Sequence, residues 1–293
     1  MTPAAVTATG TGTAPSATTA LRDLILRTPG AQRAVRAAAD RDWLPPSVWA
    51  RLQPSGVWPV RAPDGSTFRY ACGEDDALAR SVVWTHMRHW EETTCPVFFE
   101  LARKARRFVD IGAYSGIYTL LACRANPDLT AVAVEPNPAA RRLLVRNVEV
   151  NGLERRVRVC DKALSDTSGR TRLAIPADVT AASLLPPRGA HRSVDVEVVT
   201  GDGLLGTEPV DLVKIDVEGL EAQVLRGMER VLRAHHPALV VECLDAAALE
   251  AVRSTAHDFG YRRVTHLSST GPVPAVPGTT PLPRYANFLL TQD

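Results

Sequence analysis

The sequence VDIGAYSGIYTL, residues 109–120, joins a short apolar strand to a helix through a turn that contains Gly112 and Gly116. Asp110 lies near the end of that strand. A dinucleotide-binding turn has the spacing GxGxxG, in which backbone amides hold a diphosphate, whereas this turn has the spacing GxxxG. The stretch therefore predicts a strand-to-helix turn of an α/β sheet without a diphosphate cradle. A turn that only packs a helix closely against a strand would carry the same glycines, and this alternative stays open.

Short apolar runs alternate with helical segments beyond this turn, which is the pattern of a doubly wound α/β sheet. The predicted strands are FVDI (108–111), TAVAVE (130–135), VRVCD (157–161), DLVKID (211–216), PALVVE (237–242), YRRVTH (261–266) and ANFLLT (286–291). Between the third and fourth strands, TRLAI (171–175) and VDVEVV (194–199) alternate with a period of two and predict an antiparallel excursion. The expected fold class is α/β, with a mostly parallel sheet and a final antiparallel strand.

Three segments of different composition follow one another along the chain. Residues 1–20 are rich in threonine, alanine and glycine and predict a disordered tail. Residues 21–103 predict an irregular, partly helical N-terminal cap. Within it, SVVWTHMRHWEE (81–92) predicts a helix, because its apolar residues recur about once per helical turn. Residues 104–293 predict one α/β domain.

The overall composition is that of a globular protein that is neither fibrous nor membrane-spanning. Of the 293 residues, 23% are charged and 45% are hydrophobic, and no apolar run approaches the roughly 20 residues that a bilayer requires. Because the net charge is +2 and no basic stripe is interleaved with aromatic residues, we expect neither a nucleic-acid partner nor a membrane partner. The five cysteines are scattered singly, which predicts a reduced, cytoplasmic protein.

Acidic residues end the predicted strands. Glu135, which is followed by Pro136 and Asn137, ends the second strand, where a carboxylate can accept hydrogen bonds from both hydroxyls of a ribose. An acid at this place without a diphosphate cradle indicates an adenosine cofactor that lacks a diphosphate, as S-adenosylmethionine does. The alternative is a solvated strand end before a helix that begins with proline.

The third strand ends in Asp161, followed by Lys162 and Ala163. The carboxyl ends of parallel strands meet at one edge of the sheet, where ligands bind. The acids expected at that edge are Asp110, Glu135, Asp161 and Asp216. The Asp161 carboxylate or a neighbouring amide could contact the adenine amino group, although an ordinary turn acid explains this residue equally well.

The segment VKIDVEGLEAQVLRG, residues 213–227, is the densest chemical signal in the chain. An apolar strand meets Asp216, Glu218 and Glu221 at the start of a helix. Acids in such positions could cap the helix, or complete a capping box, without any chemical role. Because Asp216 closes a strand at the ligand edge, we also expect it to face the cofactor.

The residues from about 105 to 245 resemble the FkbM-type S-adenosylmethionine-dependent methyltransferases. The segments that carry the resemblance are VDIGAYSGIYTL, VEPNP, KALSDTSGRTRLAIP, TGDGLL, KIDVEGLEAQVLRG and PALVVE. The resemblance implies a Rossmann-like class I methyltransferase fold, S-adenosylmethionine as cofactor, and methylation of a hydroxyl group on a small molecule such as a sugar or polyketide. The candidate cofactor-binding residues are Asp110, Gly112, Tyr114, Gly116, Glu135, Pro136, Asn137, Asp161, Lys162, Ala163 and Asp216.

Methyl transfer to an alcohol requires a group that accepts the hydroxyl proton, since an alcohol is a poor nucleophile at neutral pH. The first candidates are Asp216 and Glu218. His266 is a second candidate, because it closes a strand that would run parallel to the others. His86 and His89 could face the same site from the predicted helix, whereas His235 and His236 precede a strand and are expected at its opposite end.

Metal-dependent methyltransferases hold their ion with clustered acids, including adjacent aspartates. The segment KIDVEG supplies no such pair, and the acids of GEDDA (73–77) are expected to be solvated, so no metal is predicted. Three other functions stay open: N-methylation of an amine, amide or carbamoyl group, an inactive cofactor-binding scaffold, and a nicotinamide oxidoreductase. The missing GxGxxG disfavours the last of these.

Overall fold

The computed structural model describes residues 28–73, 76–176, 191–276 and 285–292, so the predicted tail at 1–20 lies outside the described residues. The strands are β1 (Val57–Arg61), β2 (Thr67–Ala71), β3 (Arg107–Ile111), β4 (Thr130–Val134), β5 (Val157–Cys160), β6 (Ala163–Leu164), β7 (Gly169–Pro176), β8 (His191–Val199), β9 (Leu212–Ile215), β10 (Ala238–Cys243), β11 (Arg263–Ser268), β12 (Gly271–Pro274) and β13 (Ala286–Thr291). The helices are α1 (Pro29–Ala39), α2 (Pro46–Trp49), α3 (Ala77–Thr85), α4 (Thr94–Lys104), α5 (Ile117–Ala125), α6 (Pro138–Val150), α7 (Gly201–Leu205), α8 (Glu221–Arg226), α9 (Glu229–His235) and α10 (Ala246–Asp258).

The central sheet has eight strands in the order β12-β11-β13-β10-β9-β3-β4-β5. Strands β10, β9, β3, β4 and β5 pair in parallel, whereas β13 is antiparallel to both β10 and β11. The mostly parallel sheet with a final antiparallel strand is therefore confirmed. The chain runs outward from β3 to β5 and returns at β9, so the strand order reverses between β3 and β9, which is where ligands bind in open α/β sheets.

The long connection between β5 and β9 forms a separate sheet of three strands, in the order β6-β8-β7. Strands β7 and β8 pair antiparallel, with Thr171 opposite Val196 and Leu173 opposite Val194. The alternation of apolar and polar residues had predicted this antiparallel excursion, and the prediction is confirmed. The loop between the two strands lies outside the described residues.

The predicted helix over residues 81–92 is correct only in its first part. Helix α3 ends at Thr85, and His86 follows in the left-handed region with φ 53°. The helix does not continue past this point because the His86 side chain forms hydrogen bonds with Arg36 of α1 and with Asp40, which follows that helix. The chain then turns through residues 86–93 and places Glu91, with φ 46°, beside the central sheet.

The N-terminal segment and the sheet share one apolar core. Phe98 of α4 packs against Phe108 of β3 and Tyr118 of α5, with ring centroids 5.1 Å and 4.7 Å apart. Burying one such side chain stabilises the fold by about 1.5–3 kcal/mol. The Tyr70 hydroxyl of β2 also accepts a hydrogen bond from the Ser115 hydroxyl in the glycine turn at 2.8 Å. The division between domains at residues 103/104 stays a prediction. It falls in the last turn of α4, the helix whose Phe98 packs against β3 and α5.

The structure bears on two expectations from composition, the lack of a membrane-spanning helix and the reduced state of the cysteines. None of the described helices is both long enough and apolar enough to cross a bilayer. All five cysteines are buried and free of disulfide bonds.

Candidate active site

Two cavities open side by side at the carboxyl edge of the sheet, where β3 and β9 are neighbours. The smaller cavity has a volume of about 90 Å³ and the larger cavity about 760 Å³. Both are lined by Gly112, Tyr114, Asp216 and Glu218. The glycine turn and the loop after β9 therefore form the wall that the two cavities share.

The two glycines of the turn are required by close contacts as well as by backbone conformation. Gly112 has φ +79°, and a Cβ atom added there would lie 1.7 Å from the backbone oxygen of Asp216. Gly116 has φ +83°, and its Cβ would lie 2.4 Å from Leu144 of α6. The turn therefore both packs closely and lines a ligand cavity, the two alternatives that the sequence left open. Gly112 lines both cavities, whereas Gly116 packs against Leu144 of α6 and lines neither.

Glu135 follows β4 and is held in the smaller cavity by two backbone amides. One carboxylate oxygen accepts from the Tyr114 N–H at 2.8 Å and the other from the Asn137 N–H at 2.7 Å. The Asn137 side chain in turn caps α6, and Pro136 lines the cavity beside Glu135. Burial raises the pKa of Glu135 to about 7, although the two amide hydrogen bonds lower it. Each carboxylate oxygen can still accept a further hydrogen bond.

The structure brings one of the three candidates after β5 to the smaller cavity. Ala163 lines it together with Leu164 of β6. Asp161 is exposed and lines neither cavity. Lys162 pairs with Glu197 of β8 at 2.6 Å, on the outside of the small sheet.

Asp110 lies at the floor of the larger cavity and is buried. Its carboxylate accepts a hydrogen bond from the Thr119 hydroxyl of α5 at 2.6 Å. Burial raises the pKa of Asp110 to about 6, while the hydrogen bond from Thr119 and the charge of Lys214 lower it.

The loop after β9 does not use Asp216 or Glu218 as helix caps. Helix α8 begins at Glu221 with Leu220 at the N-cap position and no side-chain cap, so the capping interpretation of both residues is wrong. Glu221 is the residue with a local structural role, because its carboxylate accepts from the Gly219 N–H at 2.8 Å. Asp216, whose side chain is 34% exposed, and Glu218 both line the two cavities instead.

Lys214 of β9 is a site residue that the sequence analysis missed. It is 1% exposed, with its Nζ atom 3.6 Å from Asp216 Oδ2 and 5.2 Å from the centre of the Tyr118 ring. Burial alone would lower the pKa of Lys214, but neighbouring carboxylates raise it above its ordinary value. These carboxylates belong to Asp216, Glu242, Glu91 and Asp110. The larger cavity therefore holds a buried cation surrounded by acids.

Two of those acids, Glu242 and Glu91, were also missed. Glu242 lies near the end of β10 and closes the apolar run PALVVE, as Asp216 closes DLVKID, so the rule of acids at strand ends could have found it. Glu91 lies in the turn after α3, inside the segment predicted as a helix. No pattern in the sequence marks it, because tertiary contacts bring it to the cavity.

The candidate histidines lie away from both cavities. His266 is on β11, which does run parallel to the core strands, but its ring stacks on Phe288 at 5.0 Å and burial lowers its pKa. His86 bonds to Arg36 and Asp40, and burial followed by the charge of Arg36 lowers its pKa to about 4. His89 is exposed and stacks on Trp49. His235 and His236 precede β10, at the opposite edge of the sheet, as predicted.

Within the described ranges, no three histidine, cysteine or acidic side chains are grouped in a way that could hold a metal ion. The expectation that the acids of residues 73–77 are solvated is wrong for Asp76. It is buried, caps α3, and accepts a hydrogen bond from the Tyr70 hydroxyl at 2.8 Å. Glu74 and Asp75 lie outside the described residues.

Comparison with known sequences places residues 110–263, more than half of the chain, in a domain described as the methyltransferase FkbM domain. Methyltransferase sdnD of Sordaria araneosa is 28% identical over 154 residues, which cover 41% of this chain and 60% of sdnD. The 31-O-demethyl-FK506 methyltransferase FkbM of Streptomyces tacrolimicus is 27% identical over 206 residues, which cover 58% of this chain and 75% of that protein.

Among solved structures, a methyltransferase FkbM from Methylobacillus flagellatus KT is similar in fold, with a TM-score of 0.47 and 15% sequence identity. The match covers 76% of this chain and 56% of that one. This chain therefore spans less than two thirds of the length of sdnD and of the Methylobacillus protein.

Proposed function

Because the chain belongs to the FkbM methyltransferase family, we propose that it transfers a methyl group from S-adenosylmethionine to a hydroxyl group of a small molecule. One observation carries the proposal: two cavities meet at Gly112 and Asp216 on the ligand edge of the sheet. One cavity contains a carboxylate suited to a ribose, and the other contains a cluster of acids around a lysine. Cofactor and acceptor can thus bind side by side.

The residues of the smaller cavity fit the ribose of the cofactor and one edge of its adenine, since a cavity of about 90 Å³ does not enclose a whole adenosine. Ile111, Val134 and Leu164 supply apolar walls, and Glu135 supplies a carboxylate whose orientation is fixed by two amides. The GxxxG turn offers no diphosphate cradle, in keeping with a cofactor that has none. When bound, S-adenosylmethionine supplies an electrophilic methyl group on a sulfonium ion, and the acids at the junction of the cavities complement that positive charge.

The larger cavity fits a neutral acceptor whose proton must be removed. Acids from several elements line it, opposed by Lys214, so a negatively charged acceptor would be repelled. Trp90, Ile117 and Leu244 add apolar surface for the body of a natural product such as a polyketide or sugar derivative. The name of the Streptomyces relative specifies methylation at oxygen, which supports oxygen as the acceptor atom here. Transfer to nitrogen would use the same cofactor site.

Calorimetric titration tests the cofactor assignment. We expect S-adenosylhomocysteine to bind and NAD not to bind; the reverse result would indicate an oxidoreductase. Incubation with methyl-labelled S-adenosylmethionine and paired hydroxyl and amine acceptors, beginning with 31-O-demethyl-FK506, then tests the acceptor atom. Label on the amines alone would replace the proposal by N-methylation, and cofactor binding without transfer to any acceptor would favour an inactive scaffold.

Glu135→Ala is expected to weaken binding of S-adenosylhomocysteine roughly 30- to 150-fold, since a charge-assisted bidentate contact with the ribose is lost. For the wild type, affinity should fall as the pH drops through about 7, because the pKa of Glu135 is raised to about 7 and only the carboxylate accepts both hydroxyls. Calorimetry across this range measures both effects. Glu154→Ala, at an exposed acid, is the control. Wild-type affinity in Glu135→Ala would refute the ribose assignment.

Asp216→Asn and Glu218→Gln are expected to slow single-turnover methylation by roughly 10²-fold while the melting temperature changes little, because the cofactor and the acceptor lose residues that position them. The reason is that both side chains line the junction of the cavities and neither caps a helix. Asp245→Ala is the matched control, because Asp245 does cap α10 by accepting from the Ala248 N–H at 2.8 Å. That variant should lose about 1 kcal/mol of stability and retain normal turnover. The same pattern in the two site variants would make them structural residues.

A further inference from the structure

Glu91 reaches the larger cavity from outside the segment that matches the methyltransferase domain. It lies in the turn between α3 and α4, and its side chain lines the cavity together with Asp216 and Glu242. Its backbone has φ +46°, in the left-handed region that residues other than glycine rarely adopt. A residue keeps such a conformation only when surrounding contacts impose it, and such residues cluster at functional sites.

The contacts of Glu91 are hydrogen bonds that favour its carboxylate form and oppose the effect of burial on its pKa. The Tyr118 hydroxyl and the Asn287 side-chain amide both donate hydrogen bonds to Oε2, the latter at 3.0 Å. Thr94 also contributes a side-chain hydrogen bond that lowers the pKa of Glu91. Donors of this kind stabilise a carboxylate, which accepts, rather than a carboxylic acid. These contacts come from α5, β13 and α4, so the carboxylate has a fixed orientation.

The burial of Glu91 favours a carboxylate that binds a proton readily. Burial raises the pKa of Glu91 above its ordinary value, and the charge of Lys214 opposes that shift without cancelling it. A base with a raised pKa is a better proton acceptor than an ordinary exposed carboxylate. The titratable groups that face Glu91 from neighbouring elements are Cys95 of α4, Tyr118 of α5, Lys214 and Asp216 at β9, and Glu242 of β10.

Three other acids of the cavity, Glu242, Asp216 and Asp110, are less suited to this role. Burial, followed by the charge of Asp216, raises the pKa of Glu242 to about 9, which favours its protonated form over the carboxylate that a base requires. Asp216 forms an ion pair with Lys214, with 3.6 Å between Oδ2 and Nζ, so its carboxylate already has a cationic partner. Asp110 is less accessible than Glu91, because it is 2% exposed whereas Glu91 is half-buried, and its carboxylate accepts a hydrogen bond from the Thr119 hydroxyl.

We propose that Glu91 is the catalytic base that takes the proton from the acceptor hydroxyl, an assignment that rests on the proposed function. In the transfer, a lone pair of the acceptor oxygen forms a bond to the methyl carbon. The carbon–sulfur bond breaks, and its electron pair stays on sulfur. The hydroxyl proton moves to the Glu91 carboxylate and later leaves to solvent.

The test uses sinefungin, a cofactor analogue in which a carbon bearing an ammonium group replaces the methylsulfonium. A carboxylate that faces the transferred methyl group attracts this ammonium group. S-adenosylhomocysteine has no positive charge at that position, so the same carboxylate does not favour its binding. We expect Glu91→Gln to lower the affinity for sinefungin roughly 10- to 100-fold, while the affinity for S-adenosylhomocysteine stays within about twofold. The control is Glu92→Gln, at the adjacent acid with a 55% exposed side chain, which should bind both ligands as the wild type does.

The pH dependence supplies a second readout. The preference of the wild type for sinefungin should increase as the pH rises through the pKa of Glu91, because only the carboxylate attracts the ammonium group. In Tyr118→Phe, which removes a donor to that carboxylate, the increase should move to higher pH. If Glu91→Gln does not fold, the pH shift in Tyr118→Phe still tests whether the Glu91 carboxylate attracts the ammonium group.

Two results would overturn the assignment. Wild-type preference for sinefungin in Glu91→Gln, or an unshifted pH dependence in Tyr118→Phe, would show that Glu91 does not face the methyl group. An equal loss of affinity for both ligands would make Glu91 a structural residue. If the wild type binds neither ligand, the proposed function itself fails, and the two failures are therefore distinguishable.

Discussion

A Gly112→Ala variant is expected to be about 3–5 kcal/mol less stable than the wild type and to lose measurable binding of S-adenosylhomocysteine. The added Cβ atom would lie 1.7 Å from the backbone oxygen of Asp216, so the turn after β3 and the loop after β9 must move apart. Both belong to the junction of the two cavities. Thermal denaturation and calorimetric titration measure the two effects.

Gly65→Ala separates this contact from the cost of the backbone conformation. Gly65, in the hairpin between β1 and β2, has φ +81°, close to the +79° of Gly112, but nothing lies within 4 Å of the position of its added Cβ atom. Its substitution should cost about 1 kcal/mol and leave cofactor affinity unchanged. Similar losses in the two variants would show that the approach of Gly112 to Asp216 is not the source of the effect.

Lys214→Met is expected to lower the free energy of unfolding by about 3–5 kcal/mol at about pH 8, because it removes the cation from a buried cluster of carboxylates. Methionine retains most of the apolar stem of lysine, so the change isolates the charge. Urea denaturation measures the loss. The reasoning rests on the position of Lys214, which is 1% exposed and lies 3.6 Å from Asp216.

The sign of the pH dependence checks this interpretation. The charge of Lys214 lowers the pKa values of Glu91, Asp110 and Glu242, so without it these values rise further, and near pH 5 the three groups bind protons and the repulsion among them disappears. The difference from the wild type should therefore be smaller at about pH 5 than at about pH 8. A loss that is equal at both values would indicate packing instead of charge. The control is Lys162→Met, at an exposed lysine paired with Glu197, which should leave the melting temperature unchanged.

Seven of the eight strands of the central sheet could be predicted from the sequence because each carries its own signal, whereas β12, with prolines at 272 and 274, was predicted as a loop. Strands β4 and β9 are covered on both faces of the sheet, and all of their buried residues except Lys214 are apolar. The alternation in β7 and β8 also predicted the antiparallel pairing. Helix α3 was predicted to be too long, because apolar spacing does not register the contacts of His86 with Arg36 and Asp40 that end it.

The site could be predicted where chemistry follows from strand ends, and not where it follows from tertiary contacts. Glu135 and Asp216 were found because an acid after a parallel strand lies at the ligand edge. Lys214 was passed over because a lysine inside an apolar strand has no evident partner until the neighbouring acids are placed around it. Glu91 comes from a turn whose position depends on the packing of α3 and α4 against the sheet.

The walls of the larger cavity come from separate parts of the chain, and this has a consequence for how such an enzyme can diversify. Gly112 and Asp216 belong to the shared methyltransferase domain, whereas Leu78 and Ser81 of α3 precede it and Tyr285 follows it. On the proposed function, residues of the shared domain bind the methyl donor, and residues of the flanking segments contact the molecule that receives the methyl group. Substitutions at Leu78, Ser81 or Tyr285 can then change which molecule is methylated while the machinery that supplies the methyl group stays as it is.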